Sequence, residues 1–227
     1  MLLLVIDTSG KNGSVALARA EETLNDEVHV IESVPLTGGT FSAQLVPQIA
    51  ALLSNHRLTK TQIDAFIVVT GPGSFTGLRV GLAAIKALAE ILAKPIVAVS
   101  LLEVLALASQ TNGKVLAAID AGRNEVYAGE YDVTNACTRQ IREQLRSKEE
   151  FLQSARGFSV VTADRILADQ ARTAGLAVVP LDAITIEMIA RLGWRKLRAG
   201  ETADPAQLDA NYIRRTDAEI FAKRGPG

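Results

Sequence analysis

The sequence predicts an α/β layered fold with two lobes. Apolar runs of strand character alternate along the chain with segments of helical spacing, which is typical of sheets covered by helices. Two strand-like runs end in the same step, Ile6-Asp7 and Ile119-Asp120, half a chain length apart in a chain of 227 residues. A turn and a returning strand follow each step, which suggests two lobes built on one plan. The alternative is that the pattern recurs by chance, since any α/β protein contains several such hairpins.

In the first half, the run LLLVID from Leu2 to Asp7 predicts a strand that is buried on both faces. The next residues, TSGKNG, are rich in turn formers, so Ser14 to Ala18 is predicted to return as an antiparallel partner. The other elements predicted in this half are strands at 28–34, 64–70 and 95–99 and helices at 42–55 and 74–93.

The second half begins in the same way, with KVLAAID at Lys114 to Asp120 and an alternating strand at Glu125 to Asp132. Further elements are predicted as strands at 159–162 and 177–180 and helices at 101–108, 148–155, 164–175 and 184–199. No low-complexity linker separates the halves. We therefore divide the chain into an N-terminal lobe, residues 1–105, and a C-terminal lobe, residues 106–227, which should meet closely near residue 105.

Composition excludes several classes of protein. The chain has 24 Lys and Arg against 25 Asp and Glu, a net charge of −1, so no strongly charged partner is required. With 48% apolar and 22% charged residues it is not globally disordered, and no apolar run approaches the ~20 residues of a membrane helix. The N-terminus lacks a basic stretch and a cleavage site, so we expect a cytoplasmic protein without a membrane partner.

The inventory of reactive residues contains no known nucleophile motif and disfavours a zinc centre built from His and Cys. Cys137 is the single cysteine, and His29 and His56 have no Cys partner for a zinc site. The sequence contains no Gly-x-Ser-x-Gly elbow and no His-x-x-x-His pair. We therefore assign no residue to nucleophilic catalysis or to metal binding.

The turn Asp7-Thr8-Ser9 is the first candidate for ligand chemistry. A carboxylate followed by two hydroxyls can hold a cation and donate hydrogen bonds to phosphate oxygens. The structural alternative is that Asp7 and Ser9 bond to their own backbone and cap the turn.

The second candidate is the loop Gly71 to Arg79, which lies between a predicted strand and a predicted helix. Glycines let the backbone approach a ligand, and the first N–H groups of a helix attract anions, so Gly73 and Ser74 are candidates for phosphate contact. The loop matches neither the Walker nor the Rossmann fingerprint. The alternative is that Ser74 caps the helix and that the glycines permit close packing.

The two predicted helices of the first half carry more apolar surface than one lobe needs. The helix at 74–93 has one stripe at Leu78, Leu82, Ile85, Ala89 and Leu92 and a second at Val80, Ala84, Ala87 and Ile91. Exposing such side chains forfeits ~1.5 to 3 kcal/mol each relative to burial, so another element should cover them. That element belongs either to the same chain or to a partner, and Gly77 and Gly81 would let a partner helix approach closely.

A basic cluster occupies the helix predicted at 184–199. Its members are Arg191, Arg195, Lys196 and Arg198. The helical spacing indicates a solvated face, with docking of RNA or of an acidic protein as the alternative.

Four segments together resemble the bacterial tRNA threonylcarbamoyladenosine biosynthesis family TsaB, also called YeaZ. They are the opening LLLVIDTS, the block VTGPGSFTGLRVGLAAIKALA with the following PIVAVSLLEVLA, the segment IDAGRNEVYAGEY and the late NYIRRTDAE. The similarity runs over nearly the whole chain and is densest between Asp64 and Leu105. GPGSFTGLRVG is its specific part.

The resemblance implies a two-lobed actin-like and Hsp70-like ATPase fold, with ribonuclease H-like lobes, that has lost its own catalysis. It further implies a scaffold for a TsaD-like subunit, which holds metal and transfers the threonylcarbamoyl group to the adenosine beside the anticodon. A TsaE-like ATPase joins the assembly. This chain would then need no cofactor of its own, because ATP and metal belong to partner subunits, and it would meet tRNA only through the complex.

The resemblance also assigns roles to residues. Asp7, Thr8, Ser9, Gly73 and Ser74 become remnants of a nucleotide loop. The contact with the TsaD-like subunit, or with a second copy of this chain in its absence, falls on two helices. Its residues are Leu45, Ile49, Leu53, Leu78, Val80, Gly81, Ala84 and Ile91.

The sequence departs from the family pattern at four positions. Phe41-Ser42 stands where His-Ser is common, Gly122 where Arg is frequent, and Ala210 and Ile213 where Pro and Leu are often found. Two other activities of the same fold remain as alternatives, an ATP-dependent phosphotransferase using Asp7, Thr8 and Ser9, and a metallopeptidase.

Overall fold

The computed structural model describes residues 1–21, 27–37, 40–135, 137–211 and 213, and it contains two five-stranded sheets. The first sheet has the order β3-β2-β1-β4-β5. Its strands are β1 (Leu2–Asp7), β2 (Gly13–Ala20), β3 (Val28–Leu36), β4 (Ala65–Gly71) and β5 (Ile96–Ser100). β1 pairs antiparallel with β2 and parallel with β4, so it lies at the centre of the sheet.

The second sheet repeats this plan with the order β10-β9-β6-β7-β8. Its strands are β6 (Gly113–Gly122), β7 (Glu125–Thr134), β8 (Cys137–Ser147), β9 (Ser159–Thr162) and β10 (Ala177–Pro180). β6 pairs antiparallel with β7 and parallel with β9, as β1 does with β2 and β4. The prediction of two lobes built on one plan is therefore confirmed at the level of topology.

Six α-helices lie in the described part of the chain. They are α1 (Phe41–Asn55), α2 (Phe75–Leu92), α3 (Leu101–Ala108), α4 (Lys148–Ser154), α5 (Arg165–Thr173) and α6 (Ile186–Arg198), and a short 3-10 turn spans Lys60–Gln62. All the predicted helices and strands occur, with ends that differ by no more than about two residues, the usual uncertainty of element boundaries.

One strand was not predicted. β8 pairs with β7 along its whole length and forms an edge of the second sheet. Its sequence, CTRQIREQLRS, is mostly charged or polar, and its only buried residue is Arg146. Sequence periodicity detects strands through buried apolar residues, so a polar edge strand gives little signal.

The predicted boundary at residue 105 separates the two sheets but not the helices that cover them. α3 precedes the second sheet yet packs on β6, β7 and β8, where Leu102 and Leu105 enter the core of that sheet. α6 follows the second sheet yet packs on the first, where Ile189 and Trp194 join the largest core cluster. The lobes therefore exchange a helix, and residues 186–198 belong structurally to the first lobe.

Candidate partner-binding face and interlobe contacts

The turn after β1 is closed by its own hydrogen bonds. The Asp7 carboxylate accepts from the Ser9 backbone N–H at 2.9 Å and from the Ser9 hydroxyl at 2.5 Å. Desolvation of this carboxyl raises its pKa, and the two bonds from Ser9 oppose that rise. Thr8 and Ser9 are buried. The arrangement matches the capping alternative, because Oδ1 of Asp7 accepts both bonds from Ser9 within the turn.

The glycine-rich loop packs directly on this turn. The Ser74 N–H donates to the Ser9 carbonyl at 2.6 Å, and the Ser74 hydroxyl caps α2 by accepting from the Gly77 N–H at 3.3 Å. A Cβ at Gly73 would lie 2.3 Å from the Ser9 carbonyl oxygen, and one at Gly77 would lie 2.1 Å from that of Thr8. The glycines thus permit contact between two segments of this chain, and protein backbone occupies the space beside them.

The same contacts correct our interpretation of Gly77 and Gly81. We expected this pair to admit a partner helix, but both glycines face Thr8 of the same chain. A Cβ at Gly81 would lie 2.4 Å from the Thr8 hydroxyl oxygen. The spacing of four residues therefore serves the packing of α2 on the β1 turn.

Phe41 has a structural role at the start of α1. Its ring is buried and lies close to Gly13 and Gly77, at 3.2 Å and 3.1 Å from the positions that a Cβ would take at these glycines. Phe41 is therefore part of the core of the first lobe.

The structure also corrects the predicted interface. Five of its eight residues are buried within this chain, namely Leu45, Ile49, Leu53, Leu78 and Gly81. They face inward because α1 packs on β2 and β3 and α2 packs on β4. Val80 and Ala84 are half-buried, and Ile91 is 73% exposed. The residues of the predicted interface that remain accessible are therefore Val80, Ala84 and Ile91, which belong to the second apolar stripe of α2.

A broader apolar surface lies on the outside of α1 and α2, and we call it the outer helix face. It consists of Ala43, Val46, Pro47 and Ala50 on α1 and Val80, Ala83, Ala84, Ala87 and Ile91 on α2. Both sets follow helical spacing, and the two helices contact each other. Val46 is 59% exposed. The sequence already indicated the second apolar stripe of α2 and, on α1, an apolar arc that includes Val46 and Ala50, whereas Ala43 and Pro47 were not identified.

Glu143 of β8 connects the two lobes. Its carboxylate accepts hydrogen bonds from the Ser100 hydroxyl at 2.6 Å, from the Tyr131 hydroxyl and from the Asn211 side-chain amide. The Asn211 N–H in turn donates to the Thr70 carbonyl at 2.8 Å, at the end of β4. Burial, reinforced by the charge of Glu143, raises the pKa of Tyr131. No sequence pattern indicates this contact, because β8 itself was not predicted.

Asp120 occupies the place in the second lobe that Asp7 occupies in the first. Its carboxylate lies 3.2 Å from the Lys148 ammonium and accepts from the Gly122 N–H at 3.2 Å. Within the described residues, no three His, Cys, Asp or Glu side chains are grouped to hold a metal ion. In the same part of the chain, no helix is long and apolar enough to cross a bilayer.

Comparison with known proteins identifies a family and several relatives that this chain resembles. The TsaD family, described as tRNA N6-adenosine threonylcarbamoyltransferase, matches residues 35–173. The tRNA threonylcarbamoyladenosine biosynthesis protein TsaB of Bacillus subtilis is 32% identical over 142 residues, or 62% of this chain and 59% of that protein. The protein of the same name from Haemophilus influenzae is 37% identical over 151 residues, or 65% of this chain and 57% of that protein.

Among solved structures, YeaZ from Pseudomonas aeruginosa superposes with a TM-score of 0.69 at 24% identity, over 93% of this chain and 99% of that one. This likeness and the family match confirm the predicted two-lobed, actin-like ATPase fold. The curated relatives are matched over 59% and 57% of their own lengths.

Proposed function

Because the chain belongs to the TsaD family and resembles the TsaB (YeaZ) proteins, we propose that it is a noncatalytic scaffold subunit in the synthesis of tRNA threonylcarbamoyladenosine. It pairs with a TsaD-like catalytic subunit, which modifies the adenosine beside the anticodon. A TsaE-like ATPase joins this assembly. The complex works in the cytoplasm. This chain contacts tRNA only through the other subunits, and it has no membrane partner.

The outer helix face is the observation that carries the proposal. It exposes apolar side chains on two helices that contact each other, and Val46 and Ile91 are two of the five large apolar side chains that are exposed among the described residues. Leaving such side chains in water forfeits ~1.5 to 3 kcal/mol each. A partner with a matching helical surface would recover that free energy, and contiguous apolar surface of this kind marks protein–protein contacts.

The turn and loop contacts support the noncatalytic part of the proposal. In a nucleotide-binding loop, backbone N–H groups must point into space that phosphate can enter. Here Ser74 donates its N–H to Ser9, and Gly73 and Gly77 lie against the β1 turn. ATP and metal would accordingly be held by the partner subunits, and a second copy of this chain would cover the outer helix face when the TsaD-like subunit is absent.

The proposal is tested by placing a charge on the outer helix face. We expect Ala84→Arg and Ile91→Glu each to weaken binding to the TsaD-like protein of the same organism by about 100-fold or more, because burial of an unpaired charge is strongly unfavourable. Isothermal titration measures the affinity, and circular dichroism checks that each variant folds.

Ile166→Glu is the matched control, since Ile166 is 68% exposed on α5 in the other lobe. It should leave the affinity unchanged. Equal affinity for all variants, or an equal loss in the control, would refute the assignment. Turnover of Mg-ATP by the purified chain would instead favour a phosphotransferase.

A further inference from the structure

The segment that follows α6 lies along the first lobe, and we call residues 203–211 the strap. At its start, the Ala203 N–H donates to the Ile96 carbonyl of β5 at 2.8 Å. Further along, Leu208 is buried in the core of the first lobe, and its carbonyl accepts a hydrogen bond from the Lys86 ammonium of α2 at 2.8 Å. The strap is therefore fixed to the first lobe, and in particular to α2.

Asn211, the last residue of the strap, bonds to both lobes. It is also the first residue of the segment NYIRRTDAE, to which the proposed function gives no role. Its backbone N–H donates to the Thr70 carbonyl of β4 at 2.8 Å, in the first lobe. Its side-chain amide donates to Oε2 of Glu143 on β8, in the second lobe. One side chain of the strap thus carries a hydrogen bond across the boundary between the lobes.

The two carboxylate oxygens of Glu143 have different partners. Oε1 accepts from the Ser100 hydroxyl at 2.6 Å and from the Tyr131 hydroxyl, whereas Oε2 accepts from Asn211. Tyr131 lies on β7, the neighbour of β8, so its bond orients the carboxylate within the second lobe. The other two bonds join the carboxylate to the end of β5 and to the strap. Glu143 therefore holds two segments of the first lobe at once.

The rest of the boundary allows the lobes to change their angle. α3 packs in both cores, since Val104 joins that of the first lobe and Leu102 that of the second. A small rotation about this helix would keep both cores closed. Beside it, a depression separates α6 from β8, with Leu192 on one wall and Gln140 on the other. Domains joined in this way move relative to each other unless further contacts prevent it.

A second polar contact crosses the boundary beside this depression. The Lys196 ammonium of α6 lies 3.0 Å from Glu103 of α3. A lysine ammonium on its flexible stem can follow a small rotation without losing the ion pair. Asn211 cannot do so, because its side chain is short and its own backbone N–H is bonded to Thr70. The contact between Asn211 and Glu143 is therefore the one that a change of angle would break first.

We propose that Asn211 and Glu143 form an interlobe latch, which holds the two lobes at one relative angle. While the latch is closed, the chain behaves as a rigid body. When it opens, the lobes rotate about α3 and the depression between α6 and β8 changes width. Because the strap is also bonded to α2, the closed latch fixes the outer helix face relative to the second lobe. The latch would operate whatever partner that face binds.

A reciprocal exchange of groups tests the latch. Asn211→Asp keeps the shape of the side chain but places a carboxylate against Oε2 of Glu143, and at mildly alkaline pH the two charges repel each other and open the latch. In the double variant Asn211→Asp/Glu143→Gln, the new amide donates to the new carboxylate, while the amide oxygen still accepts from Ser100 and Tyr131. The latch should therefore close again in the double variant.

The angle between the lobes is measured by single-molecule energy transfer between two dyes. They are attached at Ala51→Cys on α1 and Ile166→Cys on α5, two exposed positions in different lobes. Cys137→Ser removes the only native thiol. The high dilution of this method restricts the measured distances to those within one chain.

The parent chain and the double variant should each give one narrow peak of transfer efficiency at the same position. Asn211→Asp should give a displaced and broader peak, because several angles become populated. Asn211→Ala, which removes the donor without adding a charge, should also displace the peak. Gln207→Glu is the matched control, since it makes the same change from amide to carboxylate at an exposed position of the strap. It should leave the peak in place.

Four results would overturn the proposal. They are a parental peak in both single variants of Asn211, a broad peak in the parent chain, an equal displacement in Gln207→Glu, and a peak that stays displaced in the folded double variant. Circular dichroism shows which variants are folded. Ala84→Arg should keep the parental peak, which separates this result from the test of the outer helix face.

Discussion

Thr8 has a buried hydroxyl that forms no hydrogen bond with any described residue, and it faces Gly81 of α2. This contact lets us predict how a side chain at Gly81 changes the free energy of unfolding. In an unobstructed helix, a Gly→Ala substitution raises the free energy of unfolding by roughly 0.5–1 kcal/mol. Here the added Cβ would lie 2.4 Å from the Thr8 oxygen, so the sign should reverse.

We expect Gly81→Ala to lower the free energy of unfolding by about 1–3 kcal/mol, the usual range for overpacking. Thr8→Ala should cost little, because the lost hydroxyl has no partner, and the double variant should recover most of the loss. Urea unfolding of the two single variants and the double variant measures this coupling. Additive losses would contradict the contact.

Asp7 gives a pH dependence with a definite sign. Its pKa in the folded chain is raised above the ordinary value of 3.8, so the folded state keeps a proton that the unfolded state has released. The contribution of Asp7 to stability therefore falls as pH rises through the interval above 3.8.

Asp7→Asn does not titrate, so its free energy of unfolding relative to that of the parent chain should increase as pH rises through that interval. Urea unfolding at a series of pH values from acidic to neutral checks this. A constant difference across the series would show that the carboxyl is not desolvated in the folded chain.

Among the secondary-structure elements, β8 is stabilised by charge and not by apolar burial. Arg146 of β8 is buried and pairs with Glu130 of β7, which also bonds to the more exposed Arg142. Burial tends to raise the pKa of Glu130, but the hydrogen bonds and charges of the two arginines outweigh it and the pKa is lowered. The pair therefore stabilises β8 above the ordinary Glu pKa, and the stabilisation is lost as acid protonates Glu130.

Glu130→Gln should lower the free energy of unfolding by about 2–3 kcal/mol at neutral pH, because Arg146 keeps a buried charge without its counter-ion. Arg142→Gln is the control and should cost less than about 1 kcal/mol, since the Arg142 side chain is 57% exposed. Thermal and urea unfolding of both variants compare the two. Equal losses of unfolding free energy in the two variants would mean that the burial of Arg146 does not strengthen its pairing with Glu130.

The elements that sequence reasoning found are those with buried apolar periodicity. β1 is almost wholly buried and its apolar run predicted it, whereas β8 is charged along both faces and was missed. The excess apolar surface of α2 was also predictable, but not which of its two stripes faces the sheet. A helical wheel shows that two stripes exist, and only tertiary packing decides that Leu78 turns inward and Ile91 outward.

At the scale of the whole molecule, the lobes are joined through Glu143, whose three donors lie on β5, on β7 and in the segment that contains Asn211. This residue should therefore control how firmly that segment is held against the first lobe. Removing the acceptor takes the partner away from the buried Tyr131 hydroxyl and from the half-buried Ser100 and Asn211 donors, and a buried donor without a partner is costly.

We expect Glu143→Leu to lower the free energy of unfolding by about 3 kcal/mol and to speed hydrogen exchange of the Asn211 amide, which bonds to Thr70. Glu143→Gln keeps an acceptor oxygen and should have a smaller effect on both. Exchange measured by mass spectrometry reports the amide. Unchanged protection in Glu143→Leu would mean that Glu143 does not hold the segment.

The exchange of helices between the sheets has a consequence for biosynthesis. The first sheet leaves the ribosome early, but Trp194 and Ile189, which cover part of it, are made after every strand of the second sheet. Until then the nascent chain presents apolar sheet surface that nothing yet covers, which is a target for chaperones. A message truncated between the two sheets would yield an aggregation-prone product in place of a small stable lobe.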